Sequence, residues 1–193
     1  MTANKREIRR YLAAGDTPEE SIEAQIDRAV ALAEQTVRPN WIYSIYDCVP
    51  LADGVQVGDV FFAGTSLAKN LAGCTRVILL AVTLGAEADL LLRKESIRGA
   101  FPAAVMQAVL TERIERACDA AEEEAAVALA GGGRTRPRFS LGYGDTLLSD
   151  QKRFFALLPV GKRLGITLSD GYLMTPTKSV TALIGVLGQA QEG

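Results

Sequence analysis

Residues 77–82 form an unbroken apolar run, and this run limits the possible folds more than any other stretch of the sequence. A strand with one face in water alternates apolar and polar side chains, whereas a strand covered on both faces is apolar throughout. We therefore expect a central strand here, with other elements packed on both of its faces. The strand ends at Thr83-Leu84-Gly85 and passes directly into a predicted helix, residues 86–93. Such a junction is either a simple turn or a place where free backbone N–H groups bind a ligand.

The other elements are predicted from turn residues and from the spacing of apolar side chains. Further strands are expected at residues 40–49, 55–62, 166–168 and 179–187. Further helices are expected at residues 5–13, 18–37, 66–71, 102–129 and 149–158, with a turn at residues 159–165. Thr17 and Glu20 have the spacing of a capping box, which indicates a helix start at Thr17-Pro18. Because the connections are not all strand-helix-strand, the pattern predicts one α+β domain over residues 1–193, with a largely antiparallel central sheet flanked by helices.

The longest predicted element is the helix at residues 102–129. Its apolar side chains recur at helical spacing and form one stripe: Met106, Leu110, Ile114, Ala117, Ala121 and Ala125. The alanines allow a close approach to the layer beneath the helix. Glu115 stands just off this stripe, where an exposed helix glutamate is the default interpretation.

The chain contains no histidine, which excludes several kinds of site. A Ser-His-Asp or Cys-His nucleophile, a histidine zinc site and a histidine ligand to cobalt all need an imidazole. The cysteines, Cys48, Cys74 and Cys118, are far apart and lack Cys-x-x-Cys spacing, so buried thiols are expected. We therefore predict no catalytic residue and no metal site.

The net charge of −2 hides an asymmetry along the chain. Residues 1–133 carry 13 basic and 19 acidic side chains, whereas residues 134–193 carry 8 basic and 4 acidic ones. This balance favours an anionic ligand or an acidic protein partner, but it is too small for a nucleic-acid interface. The sequence shows no targeting segment and no apolar run of about 20 residues, so we expect a cytoplasmic protein that does not enter a membrane.

Residues 138–143 contain side chains that suit recognition of one small ligand. The guanidinium of Arg138 matches a carboxylate and stays charged at physiological pH. Gly142 lets the backbone approach a ligand closely, and Tyr143 offers a ring face with a polar tip. A glycine connector at residues 131–133 precedes this block, and the proline before Arg138 favours an extended backbone there. The alternative is an ordinary loop that joins a helix to a strand.

Two blocks of the sequence resemble the reactivation domain of cobalamin-dependent methionine synthase. Residues 138–145 read Arg-Phe-Ser-Leu-Gly-Tyr-Gly-Asp, and residues 165–180 read Gly-Ile-Thr-Leu-Ser-Asp-Gly-Tyr-Leu-Met-Thr-Pro-Thr-Lys-Ser-Val. The family pattern is Arg-x-(Ser/Ala)-Pro-Gly-Tyr, followed by a Leu-Thr-Glu-Ser-(Phe/Tyr)-x-Met segment with a proline and a Ser-Val pair. A looser likeness reaches residues 81–85 and the helix after Gly99. The resemblance therefore covers most of the chain and is strongest to short stand-alone members of the family.

The resemblance implies a function and a set of site residues. Domains of this family bind S-adenosylmethionine and present its methyl group to a cobalamin on another domain. There the methyl group and an electron from a flavodoxin-like donor restore methylcobalamin. By this resemblance, Arg138 would hold the ligand's carboxylate, and backbone groups of Ser140 and Gly142 would line the ligand. Tyr143 would stand between the ligand and the corrin.

The match to the family pattern is incomplete at several positions. A glutamate of the long helix would balance the ligand's ammonium, and Glu115 matches it best, with Glu112 one turn away. Leu141 replaces the family's proline, and residues 169–171 read Ser-Asp-Gly in place of Thr-Glu-Ser. The sequence ends soon after Val186, where the full-length enzyme's domain continues with a further ligand contact. We therefore expect ligand affinity to be weak or to depend on a partner.

Two hypotheses about function follow. Without histidine the chain cannot carry the Asp-x-His-x-x-Gly motif of cobalamin-binding domains, so the cobalamin would arrive on another polypeptide. The first hypothesis is a reactivation module that acts in trans on a split methionine synthase or a related corrinoid protein. The second is a non-catalytic interaction scaffold of a corrinoid methyltransferase that has lost ligand binding.

Overall fold

The structure, a computed structural model, describes residues 2–13, 20–129 and 134–188. The strands are β1 (Asn40–Leu51), β2 (Gly54–Val57), β3 (Val60–Ala63), β4 (Cys74–Thr83), β5 (Thr167–Leu168), β6 (Met174–Thr175) and β7 (Ser179–Leu187). The α-helices are α1 (Lys5–Tyr11), α2 (Glu20–Thr36), α3 (Thr65–Asn70), α4 (Ala86–Arg98), α5 (Ala100–Val127), α6 (Gln151–Leu157) and α7 (Val160–Leu164). The helix start predicted at Thr17-Pro18 and the glycine connector at residues 131–133 lie outside the described residues.

Strand β4 lies inside a five-stranded antiparallel sheet with the order β3-β2-β1-β4-β7. Both neighbours, β1 and β7, pair with it over most of its length. Every side chain of residues 77–82 is at most 1% exposed. The prediction of a central strand covered on both faces is therefore confirmed, and so is the α+β fold with a largely antiparallel sheet.

Alternate side chains of β4 face two separate hydrophobic cores. The set that begins with Ile78 packs with side chains of α1, α2, α4 and α5. The set that begins with Val77 packs with side chains of α3, α6 and α7. All six residues of the stripe predicted on the long helix are buried in the first core, so α5 lies flat against that face of the sheet.

Two predicted elements differ from the structure. Residues 55–62 form the hairpin of β2 and β3 instead of one strand, because Gly58 turns the chain with a φ of +52° that other residues rarely adopt. Residues 159–165, predicted as a turn, contain the helix α7. Gly165 ends this helix in the left-handed conformation, with its N–H bonded to the Gly161 carbonyl at 3.0 Å.

The outer edge of β7 is covered by an extended segment, residues 134–139. Phe139 and Leu183 exchange two backbone hydrogen bonds of 2.9 and 2.8 Å across this edge. The strand predicted at residues 166–168 forms β5, which pairs with β6 in a separate two-stranded sheet and does not join the central sheet. The chain that leads away from the long helix therefore returns beside β7, which places Arg138 near α5.

Candidate functional site

The position of Arg138 is set by the extended segment beside β7. The N–H of Arg136 donates to the carbonyl of Gly185 at 2.8 Å, which continues the pairing begun at Phe139. The Phe139 side chain packs against the second core. Because successive side chains of an extended segment point to opposite faces, Arg138 is directed toward α5 on the other face.

The guanidinium of Arg138 pairs with three carboxylates of α5. It donates to Asp119 Oδ1 at 2.6 Å, to Glu122 Oε2 at 3.0 Å and to Glu115 Oε2 at 3.3 Å. These acids recur at helical spacing, so they line one face of the helix. Burial alone would lower the pKa of the guanidinium, but the hydrogen bond to Asp119 and the neighbouring charges outweigh it and raise the pKa. The structure thus brings the predicted site residues Arg138 and Glu115 together as partners of each other.

The loop at residues 140–143 uses several of its backbone groups for internal hydrogen bonds. Gly142, with a φ of +95°, donates its N–H to the Thr146 hydroxyl at 3.0 Å. That hydroxyl donates to the Tyr143 carbonyl at 2.7 Å, and the Ser140 carbonyl accepts the Tyr143 N–H at 3.4 Å. The Tyr143 side chain is 71% exposed. The backbone at Ser140 and Gly142, predicted to line a ligand, is therefore partly engaged within the loop, whereas the Tyr143 ring is open to solvent.

Asp145 fixes this loop to the first turn of α3. Its carboxylate accepts hydrogen bonds from the hydroxyl and the N–H of Thr65, both at 2.7 Å, and from the Ser66 N–H at 3.0 Å. These bonds hold the pKa of Asp145 well below its usual range, and the bond from the Thr65 hydroxyl has the largest effect. Leu141, which stands where the family has proline, is 3% exposed and packs in the second core. Burial and capping therefore fix the loop without a proline.

Lys178 is a second cation beside α5, and sequence reasoning does not single it out. Its Nζ donates to the Thr111 hydroxyl at 2.7 Å, one helical turn from Glu115. Burial lowers the pKa of the Lys178 ammonium, while the carboxylates of Asp89 and Glu115 act in the opposite direction. Lys178 belongs to the second block of the resemblance, residues 165–180, but a lysine between two polar residues is normally exposed and predicts no contact with a helix.

The segment before β7 is tied to the end of β4 and the start of α4. The carboxylate of Asp89 accepts the N–H of Thr177 at 3.1 Å and also its hydroxyl. The hydroxyls of Ser179 and Thr83 share a hydrogen bond of 2.8 Å, and the N–H of Gly85 donates to the Thr83 hydroxyl at 3.0 Å. The Gly85 N–H at the strand-to-helix junction is therefore satisfied by the protein itself.

Two open cavities of about 290 Å³ each border Trp41. One runs along residues 41–44 of β1, and the other lies between Trp41 and α5, beside Arg113 and Arg116. The indole N–H of Trp41 donates to Glu124 Oε2 at 3.1 Å. Neither cavity contains a predicted site residue. We therefore take the candidate site to be the surface of α5 that faces Arg138 and Lys178, because it carries the predicted charged groups. We call this surface the α5 groove, and its side chains are those of Thr111, Glu115, Asp119, Glu122, Arg138 and Lys178.

The cysteine side chains do not supply reactive groups. Burial raises the pKa of Cys48 to about 11 and that of Cys118 to about 12, and it also raises the pKa of Cys74. Each thiol is free, buried and protonated at neutral pH, whereas the thiolate is the nucleophile and metal ligand. Within the described ranges, no three or more cysteine, aspartate or glutamate side chains are grouped so that they could hold a metal ion.

One negative finding concerns membranes. In the part of the chain that the structure describes, none of the helices combines the length and the apolar character needed to cross a bilayer.

The arrangement of helices around the antiparallel sheet is that of a reactivation domain. A solved structure with this arrangement is the crystal structure of the MetH reactivation domain bound to AdoHcy (S-adenosylhomocysteine), with a TM-score of 0.64. The match covers 99% of this chain and 76% of that chain, at 14% sequence identity. At this identity the match shows the fold alone. No protein-family model and no curated protein sequence matches the chain.

Proposed function

We propose that this chain is an S-adenosylmethionine-binding module that supports reductive methylation of a cobalamin carried by a separate methionine synthase or a related corrinoid protein. The observation that carries the proposal is the match of its fold, over 99% of its length, to a MetH reactivation domain bound to AdoHcy. The two sequence blocks of the resemblance also reach the same helix. Arg138 from the first block and Lys178 from the second both contact side chains of α5.

The charges of the α5 groove suit the amino-acid end of S-adenosylmethionine, which bears an ammonium and a carboxylate. The carboxylate of Glu115 suits the ammonium, and the guanidinium of Arg138 suits the carboxylate. Arg138 already has three acidic partners, so the ligand's carboxylate competes with them for the guanidinium. Asp119 is the most exposed of the three, at 70% of its side chain, so water can most readily take the place of the arginine there.

Tyr143 is proposed to face the corrin of the partner protein. Its ring stands exposed on a loop that Asp145 and Leu141 hold in place. An exposed aromatic ring on a fixed loop provides a flat apolar surface for a planar partner at a small loss of conformational freedom. The chain's own contribution to methyl transfer would be to bind and orient the methyl donor, which fits a chain without histidine. The cobalamin and an electron from a flavodoxin-like donor would come from other proteins.

The alternative function, a scaffold that has lost ligand binding, is favoured by a specific observation. The guanidinium of Arg138 donates to three carboxylates of α5, and the N–H of Gly142 is bonded to Thr146. A chain that no longer binds a ligand could keep both groups in these internal contacts for stability alone.

Calorimetric titration of the purified chain with S-adenosylmethionine and with AdoHcy tests the proposal. We expect saturable binding of one equivalent of each. Absence of binding up to about 1 mM, both alone and with the cobalamin-carrying partner present, would support the scaffold instead. This limit corresponds to a free energy weaker than about −4 kcal/mol. In a second assay, a cobalamin-carrying methionine synthase, a reductant and S-adenosylmethionine are combined with and without the chain. Equal recovery of methionine formation in both samples would contradict the proposed role in trans.

A further inference from the structure

Lys178 holds its ammonium against α5 with a neutral partner only. Thr111 donates its hydroxyl hydrogen to the carbonyl of Gln107 at 2.8 Å, so its oxygen is free to accept the Lys178 Nζ at 2.7 Å. An ammonium has three hydrogens to donate, and this contact uses one of them. Across the described residues, no carboxylate lies within ion-pair distance of this Nζ.

The two carboxylates that act electrostatically on Lys178, those of Asp89 and Glu115, form hydrogen bonds with other residues. Asp89 accepts the N–H and hydroxyl of Thr177, and Glu115 accepts from Arg138. Both are close enough to oppose the lowering of the Lys178 pKa, but neither pairs with its ammonium. The half-buried Lys178 is therefore a cation whose loss of water is not compensated by an anion.

Lys178 and Arg138 thus differ in what they offer to an anionic ligand. The charge of Arg138 is already compensated by three carboxylates, which compete with an incoming carboxylate. Lys178 has a hydroxyl, so an incoming carboxylate adds a bond without breaking an ion pair. An anion that enters the α5 groove therefore gains more electrostatic stabilisation at Lys178, which has no anionic partner among the described residues, than at Arg138, which has three.

We propose that Lys178 is a further carboxylate-binding residue of the α5 groove, which receives the carboxylate of the ligand's amino-acid end while Glu115 receives the ammonium. This assignment rests on the proposed function, because it assumes that a ligand of the S-adenosylmethionine class enters the groove. Lys178 and Arg138 then flank Glu115. The ligand's carboxylate lies within reach of one cation without an anionic partner in the described part of the chain and one whose charge is already compensated by three carboxylates.

The experiment compares two ligands that differ only in the carboxylate. S-adenosylmethionine has it, and decarboxylated S-adenosylmethionine keeps the adenosine, the sulfonium and the ammonium. Replacement of Lys178 by methionine, which keeps the approximate length of the aliphatic part of the side chain and lacks the ammonium, should lower the affinity for S-adenosylmethionine by about 10-fold or more. The affinity for the decarboxylated ligand should stay the same or rise slightly, because that ligand carries no group for Lys178 to bind.

Matched variants separate the possible outcomes. Lys162→Met, an exposed lysine of α7, removes the same charge on another surface and should change neither affinity. Thr111→Val should weaken S-adenosylmethionine binding in the same selective way, because Lys178 loses the partner that positions it. Circular dichroism checks that each variant is folded, and Lys178→Gln replaces Lys178→Met if the latter does not fold.

Three results would overturn the inference or its premise. A folded Lys178→Met protein that binds S-adenosylmethionine as tightly as the parent shows that Lys178 does not contact the carboxylate. Equal losses for both ligands show that Lys178 supports the groove and does not recognise the carboxylate. If the parent binds neither ligand, alone or with the cobalamin-carrying partner present, the proposed function itself fails.

Discussion

The carboxylate of Asp145 accepts both the N–H and the hydroxyl of Thr65 at 2.7 Å, a contact between residues 80 positions apart in the chain. The N–H groups of a first helical turn lack partners within the helix, so a carboxylate placed there is stabilised. The same contact fixes the loop that carries the exposed Tyr143. One side chain therefore links the stability of α3 to the position of the ring proposed to face the partner's corrin.

Asp145→Ala should lower thermal stability at neutral pH and more weakly in acid. The pKa of Asp145 in the folded protein lies below its ordinary value of 3.8. The stabilisation from this carboxylate is therefore fully present above about pH 4 and is lost as the pH falls further, through the depressed folded-state pKa. Melting temperatures of the parent and the variant, measured from neutral pH to about pH 2, should converge at the acid end. Asp170→Ala, at an exposed aspartate, serves as the control and should show no such convergence.

The central sheet and the long helix are predictable because buried positions are apolar, and their spacing in the sequence shows which faces are covered. Residues 77–82 are apolar at every position because both faces of β4 are covered, and the stripe on α5 repeats because one side of that helix is covered. The hairpin within residues 55–62 was missed because its turn consists of only two residues, Gly58 and Asp59, between two apolar runs. The five-residue helix α7 was missed because it is too short to show a helical period.

The ion pairs of the candidate site are not predictable in the same way. Arg138 pairs with Asp119 because residues 134–139 lie beside β7. The position of this segment depends on long-range backbone pairing, which the local sequence pattern does not predict. The sequence predicts that Arg138 is charged and lies in extended backbone, and it offers no reason to expect acidic partners. For the same reason the sequence predicts an ordinary surface lysine at position 178, whereas the structure places Lys178 against Thr111 of α5.

Asp119→Asn should increase the affinity for S-adenosylmethionine. The substitution removes one of the carboxylates that compete for Arg138, at a position where the side chain is 70% exposed. Exposed ion pairs contribute up to about 1 kcal/mol, so the increase should be at most about 5-fold. Glu123→Gln is the matched control, because Glu123 lies on the same helix and is exposed. An affinity for S-adenosylmethionine that is unchanged or lower in Asp119→Asn would indicate that Arg138 does not exchange partners on binding.

Tyr143→Ala should separate ligand binding from action on a partner. The ring is 71% exposed, so its removal should leave the melting temperature nearly unchanged. It should lower the affinity for AdoHcy less than it lowers the recovery of methionine formation. Recovery of methionine formation by a cobalamin-carrying partner should fall, because the surface proposed to meet the corrin is lost. Leu173→Ala, another exposed apolar residue at 65%, is the control for loss of surface area. Full recovery with Tyr143→Ala would show that the ring takes no part in the encounter.

Arg138→Ala tests the residue on which the resemblance and the structure both focus. Loss of the guanidinium leaves Glu115, Asp119 and Glu122 facing one another without a cation, so the melting temperature should fall. Since the side chains of Glu115 and Asp119 are 48% and 70% exposed, the loss of stability should be about 1 kcal/mol and should diminish in high salt.

The same variant should weaken S-adenosylmethionine binding by about 10- to 150-fold if the guanidinium takes the ligand's carboxylate. Arg138→Lys should recover part of this affinity, because a single ammonium keeps the charge and lacks the two-pronged geometry. The triple variant Glu115→Gln, Asp119→Asn, Glu122→Gln, combined with Arg138→Ala, should restore the melting temperature, because no like charges then remain. It should not restore the affinity. A variant Arg138→Ala that is folded, loses the expected stability and still binds S-adenosylmethionine as the parent does would show that Arg138 organises the acidic face of α5 and does not contact the ligand.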